Sequence, residues 1–184
     1  VGSVHSKGLG FTGGSLWTAG IVPYEISPEV PAGIRTAINT AISTYNSYTA
    51  RTKIRFVPHT NQGNFVKFVQ VPIPGTGCAD SYFGMIGGMQ LIRINTSLNG
   101  CTLSRNLLHE MGHLLGLAHE HSRSDRARFI RINFQNSSLP ATDINLRVLG
   151  TADGFSNLQG YDLASIMHYS SLECSANGLP VFVT

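Results

Sequence analysis

Residues 109–119 read His-Glu-Met-Gly-His-Leu-Leu-Gly-Leu-Ala-His. His109 and His113 stand four apart, about one helical turn, so both imidazoles project from one helix face. That spacing lets two nitrogens reach one zinc ion, with Glu110 beside them as general base. Gly116 is the residue type that turns a helix end through positive φ at little steric cost. The reversed chain can then bring His119 back as a third ligand. Three protein ligands leave a position open for water, which is the arrangement of a catalytic rather than a structural site. The cofactor this pattern calls for is one Zn2+ per chain.

The elements that must position these residues follow from periodicity. Thr102 to Leu117 reads as the helix that carries the first two histidines, capped by Thr102 or Ser104. From Pro31 to Tyr48, Ile34, Ala37, Ile38, Ala41, Ile42 and Tyr45 recur at helical spacing and predict an amphipathic helix. Strands are predicted at Ile21–Ile26, Lys53–Val57, Asn64–Val71, Ala79–Gly84 and Met89–Asn95. Beyond His119 regularity falls away: Ile130–Phe134 reads as a short strand and Asp143–Leu149 as a helix. Residues 1–15, rich in glycine and serine, read as a flexible arm. The expected organisation is one catalytic domain over 1–184, with the arm (1–15), an upper lobe (16–118) and an irregular lower lobe (119–184), zinc lying at the junction.

Composition narrows the function classes. Hydrophobic residues make up 42% and charged residues 12%, which suits a packed globule and not a disordered tail or coiled coil. The net charge of +3 is mild and the basic residues are scattered, so no nucleic-acid patch is predicted. No apolar stretch approaches the ~20 residues of a membrane span. The start, Val1 to Leu16, lacks the basic and continuous apolar segments of a signal peptide, as a mature chain would. Of the three cysteines, Cys78, Cys101 and Cys174, one pair can form a disulfide, which would imply an oxidising compartment; the third is left over.

The histidine pattern followed by a methionine turn is the metzincin signature. The run continues as Glu120-His121-Ser122-Arg123-Ser124-Asp125-Arg126, and with residues 109–119 it closely resembles the signature of the astacin family. Tyr161-Asp162 and Ser165-Ile166-Met167-His168-Tyr169 resemble the astacin methionine turn, and Leu16-Trp17 with Ile21-Val22-Pro23-Tyr24 is similar to the start of astacin catalytic domains. The resemblance implies an α+β two-lobe fold: a twisted, mainly parallel five-stranded sheet with an antiparallel edge strand, two long helices, and an irregular carboxyl-terminal lobe. It implies zinc on His109, His113 and His119, a water held by Glu110, and the Tyr169 hydroxyl as a fifth ligand that swings away to stabilise the transition state. Met167 would lie under the metal as a hydrophobic floor, and Glu120 would meet the buried amino terminus of the matured enzyme. Cys78 and Cys101 resemble one disulfide of the family; the family's second joins the helix region to the carboxyl end, and for it Cys174 finds no partner near residues 31–60.

The expected function is therefore a secreted zinc endopeptidase, monomeric, that hydrolyses internal bonds of extended polypeptides through attack by a zinc-bound water with Glu110 as base. The peptide would lie along a strand edge, with Ala79–Phe83 as the candidate. A competing class, a catalytically dead binding module on the same fold, finds little support because every ligand, Glu110 and Tyr169 are present. A latent form with the arm in the cleft is a third class, although residues 1–24 contain no Asp or Glu and no cysteine precedes Cys78. His5, His59, His121 and His168 read as surface or packing histidines, and Met85, Met89 and Met111 as packing residues. Trp17 with Tyr24 reads as core, and Asp125 with Arg126 as structural charges. Asn95-Thr-Ser and Asn136-Ser-Ser match the glycosylation triplet.

Overall fold

The computed structural model describes residues 8–71, 78–95 and 103–184. The chain forms two compact units: Gly14–Gly116, and Leu117–Thr184 together with the amino-terminal stretch up to Gly13. The first strand, β1 (Gly8–Phe11), belongs to the second of these units.

In the unit Gly14–Gly116 the elements run β2 (Ile21–Ile26), α1 (Ala32–Ser47), the single turn α2 (Thr49–Thr52), β3 (Arg55–Pro58), β4 (Phe65–Gln70), β5 (Ala79–Ser81), β6 (Met89–Ile94) and α3 (Leu103–Leu114). The sheet order is β3-β2-β4-β6-β5. Its first four strands are parallel and β5 closes one edge antiparallel to β6, with Asp80 opposite Arg93. Successive side chains of a strand alternate between faces, and the burial follows that rule. Val22, Phe56, Val66, Phe68, Ile92 and Ile94 are buried on one face, whereas Lys67 and Glu25 pair at 2.9 Å on the other.

Both helices lie on the apolar face. Helix α1 contributes Ile34, Ile38, Ala41 and Ile42, and α3 contributes Leu107, Met111 and Leu114, to one continuous core that includes Trp17. Burial of side chains of this size stabilises by ~1.5–3 kcal/mol each. Two hydrogen bonds set the position of α3 within it: Tyr45 Oη donates to Leu108 O (2.8 Å) and Trp17 Nε1 to Leu114 O (2.9 Å). Trp17 and Tyr24 are thus core residues as expected, and so are Met85 and Met111; Met89 is not, because the pleat of β6 turns it to solvent.

The unit completed by Leu117–Thr184 is held by small antiparallel pairings. β1 is the middle strand between β7 (Leu117–Ala118) and β9 (Phe155–Leu158), with Leu9 opposite both Ala118 and Asn157. The flexible arm read from composition is corrected here for Gly8–Phe11: both edges of this segment are hydrogen-bonded, and Leu9 is completely buried. Gly10 permits the close approach, since a Cβ there would stand 2.7 Å from the Leu158 side chain. β8 (Arg131–Ile132), inside the predicted strand Ile130–Phe134, pairs with β10 (Phe182–Val183) beside a small core of Ile130, Leu146, Val181 and Phe182. The helix expected over Asp143–Leu149 is instead a turn. The Asp143 side chain accepts the Asn145 backbone N–H (2.8 Å), and the Leu149 N–H is drawn away to Ser122 O (2.7 Å).

Candidate metal centre and active site

Helix α3 places His109 and His113 one turn apart, with ring centroids separated by 4.6 Å. The helix ends where Gly116 takes φ 90°, the conformation predicted for it, and its N–H closes the turn on His113 O (2.8 Å). Three residues later His119 is extended (φ −62°, ψ 130°). The result is that one ligand atom from each of His109, His113 and His119 lies within 4.8 Å of the other two. Zinc–nitrogen bonds of about 2.0–2.1 Å fit such a set after small side-chain rotation, and three neutral imidazoles suit zinc by ligand type. No other group of three such residues is found among the described residues.

His113 is held from outside the helix as well. The Gly84 N–H donates to its carbonyl (2.9 Å) and the Phe83 ring meets its imidazole edge-on at 4.8 Å. Both follow directly on the edge strand β5. Glu110, on the same helix, is only 7% exposed. Burial pushes its carboxyl up to about 8, the nearby Asp80 adds to that, and a hydroxyl from Ser81 pulls the other way. Asp80 itself is committed to Arg93, whose Nε donates to it at 2.7 Å.

Tyr169 lies close to the third of these histidines, its ring centroid 4.5 Å from that of His119. Its hydroxyl donates to Asn145 Oδ1 (3.3 Å). His121 and His168, read from sequence as surface or packing residues, are both buried and both hydrogen-bonded around Tyr169. His168 spans from the Tyr161 hydroxyl (2.7 Å) to the Tyr169 carbonyl (2.7 Å). Met167 is buried at 2% exposure, and its carbonyl accepts the Glu120 N–H (3.0 Å). His59, by contrast, stacks on Phe65 away from these residues, as a packing histidine. His5 lies outside the described residues.

Glu120 and Arg123 form a buried charge cluster. Glu120 Oε1 accepts the Asp162 N–H (2.8 Å) and Arg123 Nη1 (3.3 Å). Burial nevertheless raises the Glu120 carboxyl above its ordinary value. Its Oε2 is buried with no hydrogen-bond partner among the described residues, and a Cβ built on Gly8 would lie 3.7 Å from it. Asp125, expected as a structural charge, grips Arg123 through two oxygens at 2.9 Å each. Arg126 is structural too, donating to the His121 and Leu146 carbonyls.

Cys78 is disulfide-bonded; its expected partner Cys101 lies outside the described residues, as does Thr102. Cys174 carries a free thiol, pushed up to about 11 chiefly by burial, in a left-handed turn (φ 62°) whose carbonyl accepts the Ser138 N–H. Asn95 is 6% exposed, which leaves its side chain no room for a glycan. No helix among the described residues is long and apolar enough to cross a membrane.

A mixed five-stranded sheet that carries a helix with two histidines, completed by a third histidine after a glycine turn, defines a metzincin type of zinc peptidase domain. Residues 12–184 match the profile of the Astacin peptidase family, and the chain belongs to that family. It is 39% identical over 150 residues to high choriolytic enzyme 1 of Oryzias latipes, a span of 81% of this chain and 50% of that protein. It is 35% identical over 169 residues to zinc metalloproteinase nas-7 of Caenorhabditis elegans, covering 91% of this chain and 41% of the relative. The chain thus spans half or less of the length of these curated relatives. Among solved structures, the same medaka hatching enzyme, a zinc protease, superposes with a TM-score of 0.73 at 34% identity, over 92% of this chain and 79% of the other. Myroilysin shares the fold, with a TM-score of 0.63 at 21% identity over 95% of this chain and 89% of its own.

Proposed function

We propose that this chain is the catalytic part of a secreted, monomeric zinc endopeptidase that cuts internal bonds of extended polypeptides. The observation that carries the reading is the convergence of three histidine ligand atoms within 4.8 Å, on a stretch of chain that also holds a buried carboxyl, Glu110. Zinc held by His109, His113 and His119 would supply a Lewis acid and make a water molecule acidic near neutral pH. Glu110 takes the proton from the attacking water and delivers it to the leaving amine. A carboxyl raised toward neutrality is well matched to both tasks. The Tyr169 hydroxyl would be a further ligand to that zinc, and a donor to the oxyanion of the reaction. Met167 supplies an apolar surface near the ligands, and Cys101 would be the partner of Cys78 in its disulfide.

The substrate lies along β5. That strand is the edge of its sheet, paired among the described residues only with β6, so its outer side offers backbone groups to an extended peptide. Digestion of casein is expected to stop on chelation and to return when zinc is restored. Cleavage that persists in excess chelator would sink the zinc mechanism.

We also propose that Glu120 Oε2 receives the amino terminus of a processed chain. A buried carboxylate oxygen without a donor is costly, and an ammonium group at Gly8 would supply one. Sequencing the amino terminus of the active enzyme is expected to find it at or near Gly8; an active form that retains Val1–Lys7 would refute this role.

A further inference from the structure

If Tyr169 is a ligand that leaves and returns, its hydroxyl needs a partner when it is away from the metal. We propose that Asn145 is that partner, a positioning residue that holds the Tyr169 hydroxyl in its swung-out place. The proposal rests on the reading of Tyr169 given above. The contact is direct: Tyr169 Oη donates to Asn145 Oδ1 at 3.3 Å. The orientation of the amide is not free. Asn145 Nδ2 donates to Asp143 Oδ1 (3.0 Å), and the Asn145 backbone N–H donates to the same oxygen (2.8 Å), an Asx turn. With its NH2 group committed, Asn145 can present only its oxygen to the phenol.

His121 fixes the distance across which this happens. It is completely buried, and its Nε2 meets the Asn145 carbonyl at 2.7 Å while Nδ1 accepts the Tyr169 backbone N–H at 3.4 Å. A carbonyl on one side and an N–H on the other require the neutral tautomer with the proton on Nε2. The ring is packed between the His119 imidazole (5.1 Å, 18° between planes) and the Tyr169 ring (4.2 Å), with Phe182 at 4.8 Å. One immobile imidazole therefore joins the backbones of Asn145 and Tyr169, and the phenol is left as the moving part. The chemistry of the acceptor suits a reversible hold. A neutral amide binds a hydroxyl about half as strongly as a carboxylate would, so the phenol can leave for the metal or for an oxyanion.

Replacing Asn145 by alanine keeps the backbone carbonyl for His121 and removes only the acceptor. Metal binding, measured against a competing chelator, is then expected to tighten ~2- to 10-fold, the weight of one neutral hydrogen bond. In cobalt(II)-substituted enzyme the visible absorption should shift toward the weaker bands of five-coordination, and kcat/KM should fall by a similar factor. Asn145→Leu, which fills the space without an acceptor, should agree with Asn145→Ala and checks that a packing defect is not the cause. In a Tyr169→Phe background neither substitution should change affinity or spectrum further. Should Tyr169→Phe alone leave the cobalt spectrum unaltered, Tyr169 is not a ligand and both readings fall. Should it change the spectrum while Asn145→Ala and Asn145→Leu alter neither spectrum nor affinity, the role of Asn145 alone is overturned.

Discussion

Replacing Glu110 by glutamine is expected to lower peptide hydrolysis by ~10²- to 10⁴-fold while the protein still binds one zinc per chain. That factor is what a positioned proton-transfer group contributes, and glutamine keeps the shape while losing the proton. The ligands proposed for the metal are imidazoles from His109, His113 and His119, so zinc content should not fall. The same substitution has a second consequence in the metal-free protein. Burial raises the Glu110 carboxyl to about 8, well above the ordinary 4.5. An acid whose folded pKa is raised binds its proton more tightly in the native state than in the unfolded one. Stability is therefore lost as pH climbs from about 4.5 through about 8. Glutamine has no charge to desolvate, so its advantage over the wild type should grow from near zero at about pH 4 to a few kcal/mol above about pH 8. Urea midpoints of the two metal-free proteins at both ends of that range decide the matter. A difference that does not grow with pH would mean that Glu110 is not a buried acid. Zymography and zinc analysis of the variant test the catalytic half separately.

How much of the fold and site is legible in the sequence depends on how local the signal is. The strand Ile21–Ile26 has its expected bounds, and Ala32–Ser47 lies within a residue of the predicted Pro31–Tyr48 at each end, because a period of 2 or 3.6 is written within a few residues. The histidine set is equally local: a short run of helix and turn brings its three ligand atoms together. β1 escapes such a reading because Gly-Leu-Gly-Phe is short and half glycine, and its partners, Ala118 and Leu158, lie far downstream in the chain. Asp143–Leu149 misleads for a related reason. One turn does begin there, with the Leu146 and Arg147 N–H groups on Asp143 O, but it stops because the Asn145 N–H goes to the Asp143 carboxylate and the Leu149 N–H to Ser122 O. Asn145 gives no sign of a role, since its contact with Tyr169 exists only in three dimensions. His121 is within reach, standing in the run that carries the family resemblance, but a lone histidine there reads most simply as packing.

Arg123→Met is the substitution expected to damage the fold most. The guanidinium is 1% exposed and uses every face of its planar fork. Nε and Nη2 hold the two oxygens of Asp125 at 2.9 Å, and Nη2 also reaches Gln159 O at 2.7 Å. Nη1 reaches Glu120 Oε1 (3.3 Å) and the carbonyls of Gly8 (3.2 Å), Leu158 (3.4 Å) and Gly160 (3.4 Å). A single side chain thus ties the segment after His119 to β1 and to the end of β9. Methionine fills much of the volume and satisfies none of these groups. Removing one member of a buried ion pair costs ~3–5 kcal/mol because the other charge is left behind, and here two carboxylates and four carbonyls lose a donor together. Against a total stability of ~5–15 kcal/mol, the melting temperature of the metal-free protein should fall by at least ~10 °C. Lysine should not rescue it, since a point charge cannot serve a bidentate carboxylate and several carbonyls at once. Asp125 gives an independent handle. Its carboxyl is held below the ordinary value, first by the Arg123 hydrogen bond. Its contribution is thus present above the ordinary aspartate pKa and lost as pH falls through the lowered one. In Arg123→Met that part of the acid sensitivity should vanish, so the wild type and the variant should converge in stability as the pH is lowered toward about 2. Calorimetric melts at about pH 7 and about pH 3 measure both effects. A variant that melts within about 2 °C of the wild type at neutral pH would show that the cluster is held by something other than Arg123.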